Sequence, residues 1–432
     1  MPLPLLVLSN GHGEDLIALR VVQALRQRRP ERAVLVLPLV GEGRAFAAAA
    51  ATGQLQLVGP RSPLPSGGFS NQSLGGLGQD LLAGLAQLSW HQWRWVRAWG
   101  RSGAPLLAVG DLLPLLLAWA SGAAYGFIGT PKSDFTWASA PPAGWGASPL
   151  ADRYHACKGS EWDPWEWALM GHRRCRIVAV RDRFTARGLR RHGITALAPG
   201  NPMLDGLEPQ PSPPAWLSRR QRLLLLPGSR EPESRRNAAR LLGVLEAWEP
   251  ACPTTLLLAS ATRPDPHEWD QLLRRHGLQE GVLTPELEAC GAIATWHRGE
   301  LQVLLGPERF QQWAGWAEVG LATAGTATEQ LAGLGVPVLS LPGPGPQFKA
   351  GFARRQSRLL GGAVQPCHTP RELAERLRTL LASPALRQTL GRTGRRRMGT
   401  SGGSQRLAVL LEQRLLPDPD APLPGQREPA QR

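Results

Sequence analysis

The chain has 432 residues, 42% of them hydrophobic and 19% charged, with a formal net charge of +15. Such a length exceeds one ordinary core and such a balance excludes a disordered chain, so two globular domains are expected. Arginine carries almost all of the excess, since only Lys132, Lys158 and Lys349 are lysines, a skew that reads as genome composition. The charge favours anionic surfaces and ligands whichever cation carries it.

In chain order, the apolar run 3–8 lacks the basic flank of a secretory signal and leads directly into Asn10-Gly-His-Gly-Glu-Asp15. It predicts a first strand. A helix at 15–28 follows, then apolar runs at 33–37, 55–58, 106–109, 124–128, 177–180 and 195–198, which is the cadence of βα units stacked into a parallel sheet. The Gly/Ser/Pro-rich stretch 59–78 is too long for an ordinary connection and reads as functional or mobile. The most apolar window, 105–125, carries Asp111 and Pro114 near its middle, which disfavours a spanning helix and leaves any membrane contact peripheral, at the inner face of the cytoplasmic membrane.

Pro-rich residues 208–214 predict a linker, which sets the domains at 1–207 and 222–398 with 208–221 between them. The cadence then repeats at 223–226, 255–259, 301–305, 319–322 and 336–341, with helices at 233–245, 371–381, 384–397 and 404–415. Residues 399–416 form a C-terminal helix, and 417–432 a disordered tail rich in Pro and charge. Within that tail Asp418-Pro-Asp420 imitates a metal-binding pair, but its setting argues against a metal site. Five scattered cysteines, without a C-x-x-C pair, read as reduced thiols in a cytoplasm.

Four stretches carry chemistry. After the run 223–226, Pro227-Gly-Ser-Arg230 offers backbone approach at Gly228, a hydroxyl at Ser229 and a fork of donors at Arg230, suited to a diphosphate. Thr323-Ala-Gly-Thr-Ala-Thr-Glu329 reads as a small-residue turn, Gly325 included, opening a helix on Thr326 or Thr328. A helix start presents free N–H groups to an anion, and Glu329 beside it can accept from a sugar diol. Each of these two could equally be an ordinary capped turn or a solvated loop.

In the first half, Gly11 and Gly13 permit a tight turn after Asn10, with His12 placed to remove a proton and Glu14 or Asp15 to orient it or cap the helix. Asp111, in Val109-Gly-Asp-Leu112, is a carboxylate just past a strand, or a helix cap. Open parallel sheets bind ligands at the carboxyl ends of their strands, so two such domains are expected to face a central cleft.

Twelve arginines against Glu372 and Glu375 between 351 and 406 form a local basic excess. It suits an anionic membrane, or simply solvated helix faces; a nucleic-acid partner lacks any recognisable motif. Trp90, Trp93, Trp95 and Trp99, with Trp162, Trp165 and Trp167, fit core packing, a lid or an amphipathic lipid surface.

The Gly-rich turn after the first strand, the Gly-Asp at 110–111, Leu226-Pro-Gly-Ser-Arg230 and Gly325-Thr-Ala-Thr-Glu329 followed by Gly335-Val-Pro337 occur in the same order as in lipid-A-disaccharide synthase. Ser160-Glu-Trp-Asp-Pro-Trp-Glu-Trp167, Arg174-Cys175, Val180-Arg-Asp182 and Gly200-Asn-Pro-Met203 resemble more closely the lipid-A-disaccharide-synthase-related proteins of cyanobacteria and their relatives. The resemblance spans roughly 3–410 and implies a GT-B glycosyltransferase of two Rossmann-like domains, metal-independent and inverting, with no cofactor beyond a UDP-sugar co-substrate. It implies a nucleotide-sugar donor held by Gly228, Ser229, Arg230, Gly325, Thr326, Thr328 and Glu329, and a lipid or saccharide acceptor on the first domain. Asp111 matches the family's catalytic aspartate, whereas His12 matches related lipid-linked glycosyltransferases, leaving the base open. A nucleotide-sugar 2-epimerase or hydrolase, or a non-catalytic nucleotide-binding relative, are the rival readings.

Overall fold

The computed structural model describes residues 3–62, 84–207, 212–261, 263–343 and 348–416, apart from the side chain of His12. Most of the 59–78 stretch, most of the 208–214 linker and the 417–432 tail therefore lie outside the described residues.

Runs such as Leu5–Ser9, buried at every position, form strands because a parallel sheet covered on both faces demands continuous apolar sequence rather than alternation. In the first unit β1 (Leu5–Ser9), β2 (Val34–Pro38), β3 (Gln56–Leu57), β4 (Leu106–Gly110), β5 (Tyr125–Gly129), β6 (Cys175–Val180) and β7 (Ala196–Leu197) lie in the order β3-β2-β1-β4-β5-β6-β7. Every pairing in it is parallel. The core gathers Leu6, Leu8, Leu106, Ala108, Tyr125 and Phe127.

The second unit holds β8 (Gln221–Leu226), β9 (Thr254–Ser260), β10 (Gln279–Glu280), β11 (Ala294–Arg298), β12 (Leu301–Pro307), β13 (Val319–Ala322), β14 (Val338–Ser340) and β15 (Val364–Pro366). Their order is β10-β11-β12-β9-β8-β13-β14-β15, parallel except where β11 joins β10 and β12. The antiparallel edge was missed in sequence because Ala294-Thr-Trp-His-Arg298 mixes buried and exposed residues and β10 is only two residues long.

Two features depart from a simple division of the chain. Residues 133–161, numbered within the first half, cluster with the second unit, and the chain rejoins the first unit at Trp162. Arg358 anchors this excursion, donating to the carboxylate of Asp152 at 2.8 Å and to the carbonyls of Ser139 at 2.8 Å and Trp137 at 2.7 Å. At the other end, the helix Gly403–Arg414 belongs to the first unit, where Glu412 pairs with Arg28 at 2.7 Å and Arg29 at 3.2 Å.

The apolar window becomes β4 and the nine-residue helix Leu112–Ala120, and among the described residues no helix is long and apolar enough to cross a membrane. All five cysteines are free, Cys290 and Cys367 buried.

Candidate functional site

Strand order reverses direction between β1 and β4 in the first sheet, and between β8 and β13 in the second. At such switch points the connections leave in opposite directions and open a crevice beyond the carboxyl ends of the strands. Asn10 and Asp111 follow β1 and β4; the turns at Gly228 and Gly325 follow β8 and β13. Each pair of sequence-predicted stretches thus flanks the switch point of its own unit.

In the first unit, Gly110 ends β4 at φ +135°, and a methyl added there would lie 3.1 Å from Asn10 and 3.4 Å from Glu14, so glycine admits both side chains against the strand end. The Asn10 amide donates to Asp111 Oδ1 at 2.6 Å, and the Leu113 N–H donates to the same oxygen at 3.2 Å. Asp111 is therefore both the cap of the helix Leu112–Ala120 and a member of the cluster.

The helix His12–Arg28 opens on Gly11, with Gly13 in its first turn, three residues earlier than expected; the side chain of His12 lies outside the described residues. Asp15, considered as a cap, instead sits inside the helix and is 4% exposed, accepting from Ser9 Oγ at 2.5 Å. Glu14 accepts from Thr130 Oγ1 at 3.3 Å.

Burial pushes the Glu14 carboxyl up to about 7, with the Asp111 charge adding to the rise against backbone and Thr130 hydrogen bonds. Burial likewise carries Asp15 up to about 7 and raises Asp111, whose hydrogen bonds and the nearby Lys132 ammonium act against the rise. A carboxylate titrating near neutrality is suited to proton transfer.

Lys132 and Thr130 escaped the sequence reading. Lys132 pairs with Glu166 at 2.5 Å and Asp163 at 3.6 Å and stands 5.1 Å over the ring of Trp162. Glu166 in turn accepts from the Asp163 N–H at 2.8 Å, closing the start of the helix Pro164–Met170. The interleaved Trp and acidic residues of 160–167 thus have a structural explanation: Trp162 is fully buried edge-on to Phe127, Asp163 and Glu166 hold Lys132, and Glu161 pairs with Arg355 at 3.1 Å. Trp165, in contrast, is 55% exposed, as Trp90 is 53% exposed in the helix Leu85–Gly100, so the tryptophans divide between core and surface.

In the second unit, Gly228 turns the chain at φ +102°, where nothing would meet an added methyl within 4 Å; the dihedral, not space, calls for glycine. Ser234 Oγ donates to the Gly228 carbonyl at 3.0 Å and the Ser234 N–H to that of Arg230 at 2.7 Å, locking the turn onto the helix Glu233–Leu242. Ser229 is exposed. Arg230 is partly buried, and desolvation lowers its guanidinium against the opposing effect of Glu233.

Gly325 caps the helix Thr326–Gly333, with Glu329 in its first turn. Gly325 is exposed and Thr326 and Glu329 are partly exposed. Thr328 is fully buried and its hydroxyl donates to the Ala324 carbonyl at 2.5 Å, so that side chain shapes the turn from within. The two turns are tied together: Thr323 Oγ1 donates to the Pro227 carbonyl at 3.1 Å, and Asn237 Nδ2 to the same oxygen at 3.3 Å. Gln356 supports the second turn, donating to the Gly325 carbonyl at 3.2 Å. No sequence signal marked Asn237 or Gln356, because their partners are backbone atoms distant along the chain.

No protein-family model matches the chain, and no curated protein matches it in sequence. Among solved structures, the calicheamicin glycosyltransferase CalG4 superposes with a TM-score of 0.55 at 16% identity, over 95% of this chain and 98% of its own. Acinetobacter baumannii MurG gives 0.52 at 14% identity, over 95% and 100%. The UDP-GlcNAc 2-epimerase of Neisseria meningitidis, bound to UDP-GlcNAc, gives 0.52 at 13% identity, again over 95% and 100%. With two Rossmann-like units built on parallel sheets, the chain has the GT-B fold of these glycosyltransferases and epimerases.

Proposed function

We propose that the protein is a glycosyltransferase that moves a sugar from a nucleotide-sugar, UDP-linked, to a lipid-linked or saccharide acceptor, inverting and without a metal, in the manner of lipid-A-disaccharide synthase. The observation that carries this reading is the pair of turns at the β8/β13 switch point, fastened through Pro227 and Thr323. One turn offers Gly228, Ser229 and Arg230 to a diphosphate. The other offers the N–H groups at Gly325 and Thr326, the positive end of a helix, and Glu329 to a ribose. MurG and CalG4 share the fold, and the Neisseria enzyme is bound to UDP-GlcNAc.

Transfer also needs a group that takes the acceptor proton. The cluster of Asn10, Glu14 and Asp111 supplies two carboxyls raised from their ordinary values, and in Glu14 one poised near pH 7. Glu14 is the better-matched base by proton affinity; Asp111 keeps the role that the family resemblance assigns. Donors prearranged on the leaving diphosphate would each contribute on the order of 3 kcal/mol to the transition state. Acceptor binding on the first unit and peripheral contact with anionic lipid, at the cytoplasmic side, belong to the same proposal.

The test is a nucleotide-sugar panel incubated with native lipid extract and read by mass spectrometry. A glycosylated lipid or saccharide is the expected product. Donor consumed without any acceptor would favour hydrolysis or epimerisation, the latter being the activity for which the UDP-GlcNAc 2-epimerase neighbour is named.

A further inference from the structure

At the opposite, amino-terminal edge of the second sheet lies a cavity of about 410 Å³. Its floor is Ala317 and Glu318, just before β13, with Gly335 and Pro337, just before β14; its wall is the helix Pro384–Met398, through Arg387, Gln388, Arg392 and Arg395. The switch-point turns stand at the carboxyl ends of β8 and β13, so this cavity is separated from the donor site by the length of β13.

The charges here are arranged, not merely accumulated. The one carboxylate, Glu318, is shared by Arg387 at 3.1 Å and Arg222 at 3.6 Å. Arg387 also donates to the carbonyls of Leu380 at 2.6 Å and Leu381 at 2.8 Å, which fixes it in place. Arg395 lies across Gly335, where an added methyl would come within 2.4 Å of its guanidinium carbon, and is held by the Leu334 carbonyl at 2.9 Å. Arg392 and Gln388 are exposed and have no hydrogen-bond or ion-pair partner among the described residues.

With three arginines and a single acid in its lining, and Arg222 also paired to that acid, the cavity retains a cationic excess. Its preset guanidinium at Arg395 and its free one at Arg392 stand three residues apart on one helix, as neighbours on one face. We propose that this cavity is a second anion site, which takes a phosphorylated ligand bearing a diphosphate or a phosphomonoester on a larger body. Paired guanidinium groups match phosphate oxygens with parallel hydrogen bonds. The volume admits more than an isolated phosphate, so the phosphate source is either a free phosphorylated metabolite or the headgroup of an anionic lipid.

Calorimetric titration of the full chain with inorganic pyrophosphate tests the site, alongside cosedimentation with phosphatidylglycerol vesicles and with neutral phosphatidylcholine vesicles. Arg392→Glu is the main variant, since that side chain makes no hydrogen bond or ion pair among the described residues; the double variant Arg392→Ala, Arg395→Ala is the second, with circular dichroism confirming its fold. Arg230→Ala removes the other candidate phosphate site. Loss of at least about tenfold in pyrophosphate affinity in the Arg392 variants, retained in Arg230→Ala, supports a site for a free phosphorylated ligand. Loss of vesicle binding confined to phosphatidylglycerol in the same variants supports a lipid headgroup. Pyrophosphate and vesicle binding both unchanged by Arg392→Glu would overturn the proposal, whatever becomes of the donor reading.

Discussion

Thr323 donates its hydroxyl to the Pro227 carbonyl at 3.1 Å, and this bond joins two turns that are almost a hundred residues apart in the chain. Because Pro227 precedes Gly228 and Thr323 precedes Gly325, the bond sets the spacing of the proposed phosphate donors. Thr323→Val keeps the shape and removes the bond. The expected cost is about 1 kcal/mol of stability, because Asn237 still satisfies the Pro227 oxygen. Nucleotide affinity should fall more than the stability loss alone implies, which paired thermal melts and calorimetry would show.

Arg230→Ala and Glu329→Ala should each weaken nucleotide-sugar binding, roughly tenfold to a hundredfold for the arginine, whose hydrogen bonds are charge-assisted. Arg230→Lys should recover only part of that affinity, since a point charge does not reproduce the guanidinium fork. Binding titrations on the three proteins separate these outcomes.

Glu14→Gln should lower turnover by roughly a hundredfold or more while leaving donor affinity unchanged. With the Glu14 carboxyl at about 7, the parent rate should fall as the pH drops below 7, and the variant should lose that limb. The raised value also carries a stability consequence. The folded state holds the Glu14 proton more tightly than the unfolded chain, so its contribution is fully present below the ordinary carboxyl range and is lost as pH rises towards 7. Glu14→Gln should therefore gain in melting temperature over the parent above pH 7, a gain that shrinks towards pH 4. Asp15→Asn should follow the same direction, less the worth of the Ser9 bond.

The βα cadence and both turn motifs were legible because each rests on a local rule: continuous apolar runs for buried parallel strands, and Gly-led turns opening helices. Strand order was not legible, since nothing in Leu5–Ser9 or Leu106–Gly110 states that they are neighbours; that follows from packing across the whole sheet. The same holds for 133–161, whose attachment to the second unit depends on Arg358, two hundred residues downstream. At the first switch point Asn10, Glu14 and Asp111 were singled out as separate candidates, yet the Asn10 bond to Asp111 and the pKa of Glu14 arise only when β1 and β4 adjoin. Thr328 shows the reverse case: its position in the motif suggested a ligand contact, and its side chain is turned inward to Ala324.

Lys132→Met should expose how the 160–167 segment acts on the cluster. Removing the ammonium leaves the fully buried Glu166 without its ion pair, at a cost of roughly 3 kcal/mol. It also withdraws a charge that lowers the Asp111 carboxyl, so any limb of the pH–rate profile belonging to Asp111 should move to higher pH. A profile recorded on the variant under conditions where it remains folded would show the shift.

The most direct test is calorimetric titration of the purified protein with a panel of UDP- and other nucleotide-sugars, repeated on Arg230→Ala. Saturable binding of a UDP-sugar, weakened at least about tenfold in the variant, is expected if the Pro227-Gly-Ser-Arg230 and Gly325–Glu329 turns form the donor site. An absence of binding across the whole panel, or equal binding by parent and variant, would contradict it.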